Sequence, residues 1–119
     1  MNEREQQPEV EHRDAVTVVA VAGEVDIVQT HELRERLLGA VRNDDMGLVI
    51  DLSEATYMDS VGVSLMFELA EKLSERQLRM AVVLPEDGLV ERVLTIVNLG
   101  SVAEIRRTVE DAVATIDAS

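Results

Sequence analysis

Apolar positions along the chain fall into two kinds of run: short continuous blocks, and longer stretches that repeat every three or four residues. The blocks predict strands and the repeats predict helices. AVTVVAVAG, residues 15–23, is β-branched and almost unbroken, which predicts a strand buried on both faces and ended by Gly23. LVIDL at 48–52 and LRMAVVL at 78–84 predict two further core strands, the second stopped by Pro85. Residues 9–13 form a candidate edge strand, and AEIRR at 103–107 a short one. Leu33, Leu37, Ala40 and Val41 share one face of a helix over about 29–42, with Asp26 and Gln29 as a capping pair, and RNDDMG at 42–47 is a loop. Leu65, Met66, Leu69, Ala70 and Leu73 place a second helix from near Ser60 to about Glu75. Leu89, Val93, Leu94 and Val97 set a third over 86–98, ending near Asn98-Leu99-Gly100. A last helix, capped by Thr108, carries Val109, Ala112, Val113 and Ile116 on one face. The predicted core is Val18, Ala20, Leu37, Val49, Ile50, Leu65, Leu69, Val82 and Val83.

Strand and helix alternate, so the pattern alone predicts an α/β fold with crossover helices and a mostly parallel or mixed sheet, doubly wound by default. Residues 1–8 are polar and patternless and read as a flexible N-terminal arm, which leaves 9–117 as the domain.

Composition changes this picture mainly by exclusion. The 119 residues are 46% hydrophobic but only 2% aromatic, so the core is aliphatic and large enough for one domain without staples. Cysteine is absent, which removes disulfides, thiolate chemistry and sulfur-ligated zinc and suits a reducing cytoplasm. No apolar run reaches transmembrane length, and the acidic N-terminus is unlike a secretory signal. A net charge of −13 argues against nucleic acid or anionic membrane as a partner and favours a basic or amphipathic protein surface. Lys72 is the only lysine.

In open α/β sheets the functional crevice lies at the carboxyl ends of the strands. That brings forward Asp51, Ser53, Asp59 and Ser60 after the strand at 48–52, and Glu24 and Asp26 after the preceding one. A phosphate-receiver site would need a lysine at the end of a later strand, but Lys72 lies inside the second helix. No GxxxxGK occurs, and Ser60 sits in Met-Asp-Ser-Val-Gly rather than Gly-x-Ser-x-Gly. His12 and His31 read as surface histidines, and scattered carboxylates are no metal site. Ser60 is then either a helix cap, or the first residue of a helix capped by Asp59, or a phosphorylation site. The amides and dipole of a helix start tolerate phosphate there, and Gly62 would leave the approach to the hydroxyl uncrowded.

GEVD at 23–26 followed by VIDLSEATYMDSVGVSLMFEL at 49–69 resembles the STAS domain family, and within it the bacterial anti-sigma factor antagonists. The likeness spans about residues 9–117. It rests on the Gly-Glu-aliphatic-Asp turn, the strand ending in Asp-Leu, and Asp-Ser-x-Gly opening the second helix. The resemblance implies a small mixed sheet of about four or five strands with helices packed largely on one side. It makes Ser60 the phosphoacceptor and places Glu24, Asp26, Asp59, Ser60, Val61 and Gly62 at the partner surface. Val61 departs from the Ser, Thr or Ala common between the family's serine and glycine, which bears on kinase choice.

By that resemblance the protein is no enzyme. Its unphosphorylated form would bind an anti-sigma factor that is also a serine kinase, releasing a sigma factor. Phosphorylation of Ser60 would end binding, and a serine phosphoprotein phosphatase would restore it. The module itself would need no cofactor, ATP and Mg²⁺ belonging to the kinase, and a monomer or weak dimer is expected. The alternatives are a constitutive STAS scaffold or transporter-associated module and, from another class, a small hydrolase or nucleotide-binding protein.

Overall fold

The computed structural model describes residues 8–118. The arm read at 1–8 therefore lies, apart from Pro8, outside the described residues. In chain order the elements are β1 (Glu9–Arg13), β2 (Val16–Ala20), β3 (Gly23–Val25), α1 (Thr30–Ala40), β4 (Gly47–Asp51) and β5 (Ala55–Met58), followed by α2 (Ser60–Glu75), β6 (Arg79–Val83), α3 (Leu89–Ile96), β7 (Glu104–Arg106) and α4 (Val109–Asp117). A short 3-10 turn, Leu99–Ser101, follows α3.

The main sheet has five strands in the order β1-β2-β4-β6-β7. β1 is antiparallel to β2 and the remaining pairs are parallel, so the sheet is mixed. Alternation along β2, β4 and β6 sends Val19, Leu48, Ile50, Met80 and Val82 to one side. There they meet Leu33 and Leu37 of α1, Leu65, Met66, Leu69 and Leu73 of α2, and Val90 and Leu94 of α3. Val16, Val18, Val49, Ala81 and Val83 point to the other side and are covered by Ala112 and Ile116 of α4. Both faces are apolar because both are packed, which is why these strands show no polar alternation. Three helices on one face and one on the other match the expectation of helices packed largely on one side, and the evenly doubly wound default is set aside. Of the predicted core, only Ala20 is half-buried rather than buried.

The predicted strand 15–23 does not run straight through. β2 ends at Ala20, and after two residues the chain resumes as β3, paired in parallel with β5 in a separate two-stranded sheet. Gly23, taken from the sequence as a strand end, instead starts β3. Its φ of 82° is one that only glycine adopts readily. The bend carries β3 and β5 away from the main sheet at its carboxyl edge.

α3 also departs from expectation. It spans Leu89–Ile96, shorter than 86–98, and Val90 and Leu94 face the core. Leu89 and Val97, predicted inward, are 55% and 39% exposed. The helix ends at Ile96, short of the predicted 98, and Asn98 follows in the left-handed conformation (φ 63°), leading into the 3-10 turn.

One polar cluster is buried. Asp45, in the loop before β4, accepts bonds from the Thr17 hydroxyl, from the Arg42 amide at 2.8 Å and from the Arg42 guanidinium at 2.8 and 3.1 Å. Burial works against its charge, but these hydrogen bonds and the Arg42 charge outweigh it and hold the Asp45 pKa below the ordinary carboxylate value. His12 lies on β1, where the candidate edge strand was placed, with its Nδ1 2.9 Å from Thr17 Oγ1.

Candidate functional site

The site forms where β3, β5 and the start of α2 converge. Asp59 follows β5 with extended backbone (φ −91°, ψ −176°), the conformation of an N-cap residue. One carboxylate oxygen accepts the Gly62 N–H at 2.9 Å, satisfying an amide that the helix leaves free. The other accepts the Ile27 N–H at 3.1 Å, and the Asp59 N–H donates to the Val25 carbonyl at 3.2 Å. Asp59 is thus both the cap of α2 and the clamp that holds the turn after β3 against it.

Asp59 being the cap, Ser60 is the first residue inside the helix. It is exposed, and among the described residues no group hydrogen-bonds its hydroxyl. A structural cap would be engaged with the backbone; this hydroxyl is not. Val61 is half-buried beside it.

Gly62 has a different role from the one predicted. It is buried and faces inward: a Cβ there would lie 2.5 Å from the Val25 carbonyl oxygen and 2.8 Å from Met58 Cγ. The missing side chain lets the first turn of α2 press directly on β3. It does not clear a path to Ser60.

The GEVD turn meets this corner. Glu24 is exposed on β3 opposite Tyr57, and Val25 pairs with Met58, the residue before Asp59. Asp26 and Gln29 form no capping pair. The Asp26 carboxylate accepts the Val28 N–H at 3.1 Å, its carbonyl accepts the Gln29 and Thr30 amides at 3.0 and 3.1 Å, and no side chain caps α1. Asp51 and Ser53 stay apart from the corner. Asp51 takes both the Ser53 amide and hydroxyl, at 3.0 and 2.7 Å, in a local turn after β4. The six residues assigned to the partner surface, Glu24, Asp26, Asp59, Ser60, Val61 and Gly62, therefore fall in one region, with Gly62 beneath it.

Two residues of this region were not foreseen. Ile27 and Val28 are 67% and 82% exposed, at the tip of the clamped turn. Their signal in the sequence is an aliphatic pair out of phase with Leu33 and Leu37, in a segment where a turn would be polar.

The chemistry available here is that of one free hydroxyl at a helix N-terminus with acidic neighbours. Ser60 has no hydrogen-bonded base, His12 is engaged with Thr17 on β1, and no cluster of three metal-ligating side chains occurs among the described residues. Among the described residues, no helix is long and apolar enough to cross a membrane.

The STAS domain family model matches residues 7–112. An anti-sigma-B factor antagonist of Listeria monocytogenes is 30% identical over 99 residues, covering 82% of this chain and 86% of that protein. The anti-sigma-F factor antagonist RsfB of Mycobacterium tuberculosis is 26% identical over 103 residues, covering 87% and 83%. The crystal structure of an anti-sigma factor antagonist from Mycobacterium paratuberculosis superposes with a TM-score of 0.82 at 29% identity, covering 93% of each chain.

Proposed function

Because the chain belongs to the STAS domain family, among its anti-sigma factor antagonists, we propose that it binds an anti-sigma factor and is switched off by phosphorylation of Ser60. The observation that carries the switch is the exposed, unbonded Ser60 hydroxyl on the first turn of α2, set there by the Asp59 cap. The protein is substrate and ligand, with the anti-sigma factor as its kinase, a serine phosphoprotein phosphatase as the reset, and the cytoplasm as the setting.

Magnitudes favour a switch that acts on docking and leaves the fold alone. A phosphate adds about −1.5 to −2 charge at neutral pH. On the free protein it sits where the helix dipole favours it, by ~0.3–1 kcal/mol. Against a partner surface it meets Asp59 and must shed water. An uncompensated charge at an interface costs several kcal/mol, and ~3 kcal/mol weakens binding on the order of a hundredfold.

The test is incubation with ATP, Mg²⁺ and each anti-sigma kinase of the source organism, followed by intact-mass measurement and peptide mapping. The expected result is one phosphate, on Ser60, only when a kinase is present, with Ser60→Ala unmodified and still binding. Phosphate mapping to Ser53 or Ser64 would refute the assignment. Turnover of substrate by the isolated protein would favour the enzyme alternative, and binding indifferent to phosphate would favour a constitutive scaffold.

A further inference from the structure

Taking an anti-sigma factor as the partner, we propose that Ile27 and Val28, clamped beside Ser60 by the Asp59 carboxylate, are the apolar anchor of the docking surface. This rests on the proposed function and adds where the partner grips. Single exposed aliphatics are ordinary on protein surfaces. Ile27 and Val28 differ from scattered ones in being adjacent and held in a turn by backbone hydrogen bonds.

Four successive amides are bonded: Ile27 to Asp59 Oδ2, Val28 to Asp26 Oδ1, and Gln29 and Thr30 to the Asp26 carbonyl. The exposure of the tip is therefore set by the backbone. Neither side chain joins an apolar cluster of the core, and α1 turns Thr30, Leu33 and Leu37 inward in their place. Folding gains nothing from burying them. A tip already held in place loses little freedom on docking, so most of its burial would appear as affinity.

Charge selects the occupant. Glu24 is exposed on β3, three residues before Ile27, and Asp26 directly precedes the tip. With Asp59, whose carboxylate holds the Ile27 amide, they set acid beside the tip, and among the described residues none of the three is in an ion pair. The complement is a protein surface with an apolar pocket edged by Arg or Lys. A second copy of this chain would set acid against acid. The tip also hangs from the residue that precedes Ser60, so a kinase engaged at the hydroxyl has Ile27 within the same region of the surface. The occupant is the anti-sigma factor kinase itself.

The experiment uses the kinase that phosphorylates the wild-type protein, titrated calorimetrically without ATP against wild type, the double variant Ile27→Ser/Val28→Ser, and Val10→Ser. Val10 is half exposed on edge strand β1 and serves as an apolar control. All should keep wild-type circular dichroism and melting temperature. The double variant should bind at least tenfold more weakly, about 1.4 kcal/mol, and Val10→Ser like wild type. Asp59→Asn separates clamp from cap: asparagine still caps a helix, but its amide nitrogen cannot accept the Ile27 N–H. Its affinity should fall, with the melting temperature lower only by the few degrees that one lost hydrogen bond of about 1 kcal/mol costs. A double variant that binds as tightly as wild type overturns the anchor and leaves the proposed function standing. If no kinase binds or modifies the wild type, the proposed function fails first. A wild-type dimer that the double variant converts to monomer, by light scattering, would make the tip a self-association surface and overturn the anchor.

Discussion

Gly62→Ala and Gly39→Ala are the same chemical change with opposite expected signs. Gly39 lies in α1 with nothing within 4 Å of an added Cβ. There alanine only restricts the unfolded chain and favours the helix, which should stabilise by ~0.5–1 kcal/mol. At Gly62 the added carbon meets the Val25 carbonyl oxygen at 2.5 Å, so the gap must open by about 0.5 Å merely to reach the 3.0 Å that real contacts respect. That oxygen is not free to move, because it accepts the Asp59 N–H at 3.2 Å and Val25 pairs with Met58 in the β3–β5 ladder. Overpacking costs ~1–3 kcal/mol, and weakening the Asp59 bond adds on the order of 1 kcal/mol. The helix-propensity gain offsets at most ~1 kcal/mol. The net is a destabilisation of ~1–3 kcal/mol, or a melting temperature lower by roughly 5–15 °C for a domain of this size. Thermal and urea unfolding of both variants beside wild type read this directly. If Gly62→Ala melts at or above wild type, α2 does not press on β3 as described.

Asp45→Asn should lose ~1–3 kcal/mol at pH 7. Because the Asp45 pKa is lowered on folding, that contribution is present above the unfolded carboxylate pKa of about 4 and is lost as pH falls through the folded value. Urea titrations at pH 7 and pH 3 should therefore show the gap from wild type narrowing, and a constant gap would discount the charge. Ile50→Asp would place an unpaired carboxylate at a fully buried position between β4 and the α1–α2 layer. Several kcal/mol lost from a total of ~5–15 should leave it unfolded by circular dichroism, and an unchanged melting temperature would remove β4 from the core. Ser60→Asp, with one charge where phosphate brings nearly two, should bind the anti-sigma factor roughly ten- to a hundredfold more weakly, ~1–3 kcal/mol, with its fold intact. Equal affinity would place Ser60 outside the interface.

Where one physical signal dominated, the chain was legible. α2 begins at Ser60 and ends at Glu75 as read, because an Asp cap and an unbroken apolar period agree. β3 and β5 were not legible. β5 is Ala-Thr-Tyr-Met with only Met58 buried, too short and too exposed for a period to show. β3 shares only Gly23 with the nine-residue apolar run at 15–23, and three residues with one of them buried are too few to show a period. In α3 the ambiguity is one of phase. Leu89 and Ile96 make one stripe and Val90 and Leu94 another, and periodicity alone cannot choose between two apolar stripes. The packing of α3 against β5 decides it, and β5 had not been seen.

The same blindness explains the site. Asp59 and Ser60 could be singled out because an acid and a hydroxyl together exceed what one cap requires, and the structure divides the two tasks between them. What a sequence does not carry is the direction in which a glycine faces. Gly62 looked like a clearing around Ser60 and is instead the contact that seats α2 on β3. Reversing its direction changes the logic of the corner. With α2 pressed inward, Asp59 is close enough for its second oxygen to reach the Ile27 amide, and that bond fixes the turn whose tip carries the exposed Ile27 and Val28. The buried glycine and the exposed aliphatic pair are thus two ends of one geometric constraint. Gly62→Ala should accordingly weaken anti-sigma binding even where enough folded protein remains to titrate, and by a route that Ser60→Ala leaves untouched. Calorimetry on the folded fraction at low temperature would test this, and wild-type affinity there would uncouple the glycine from the tip.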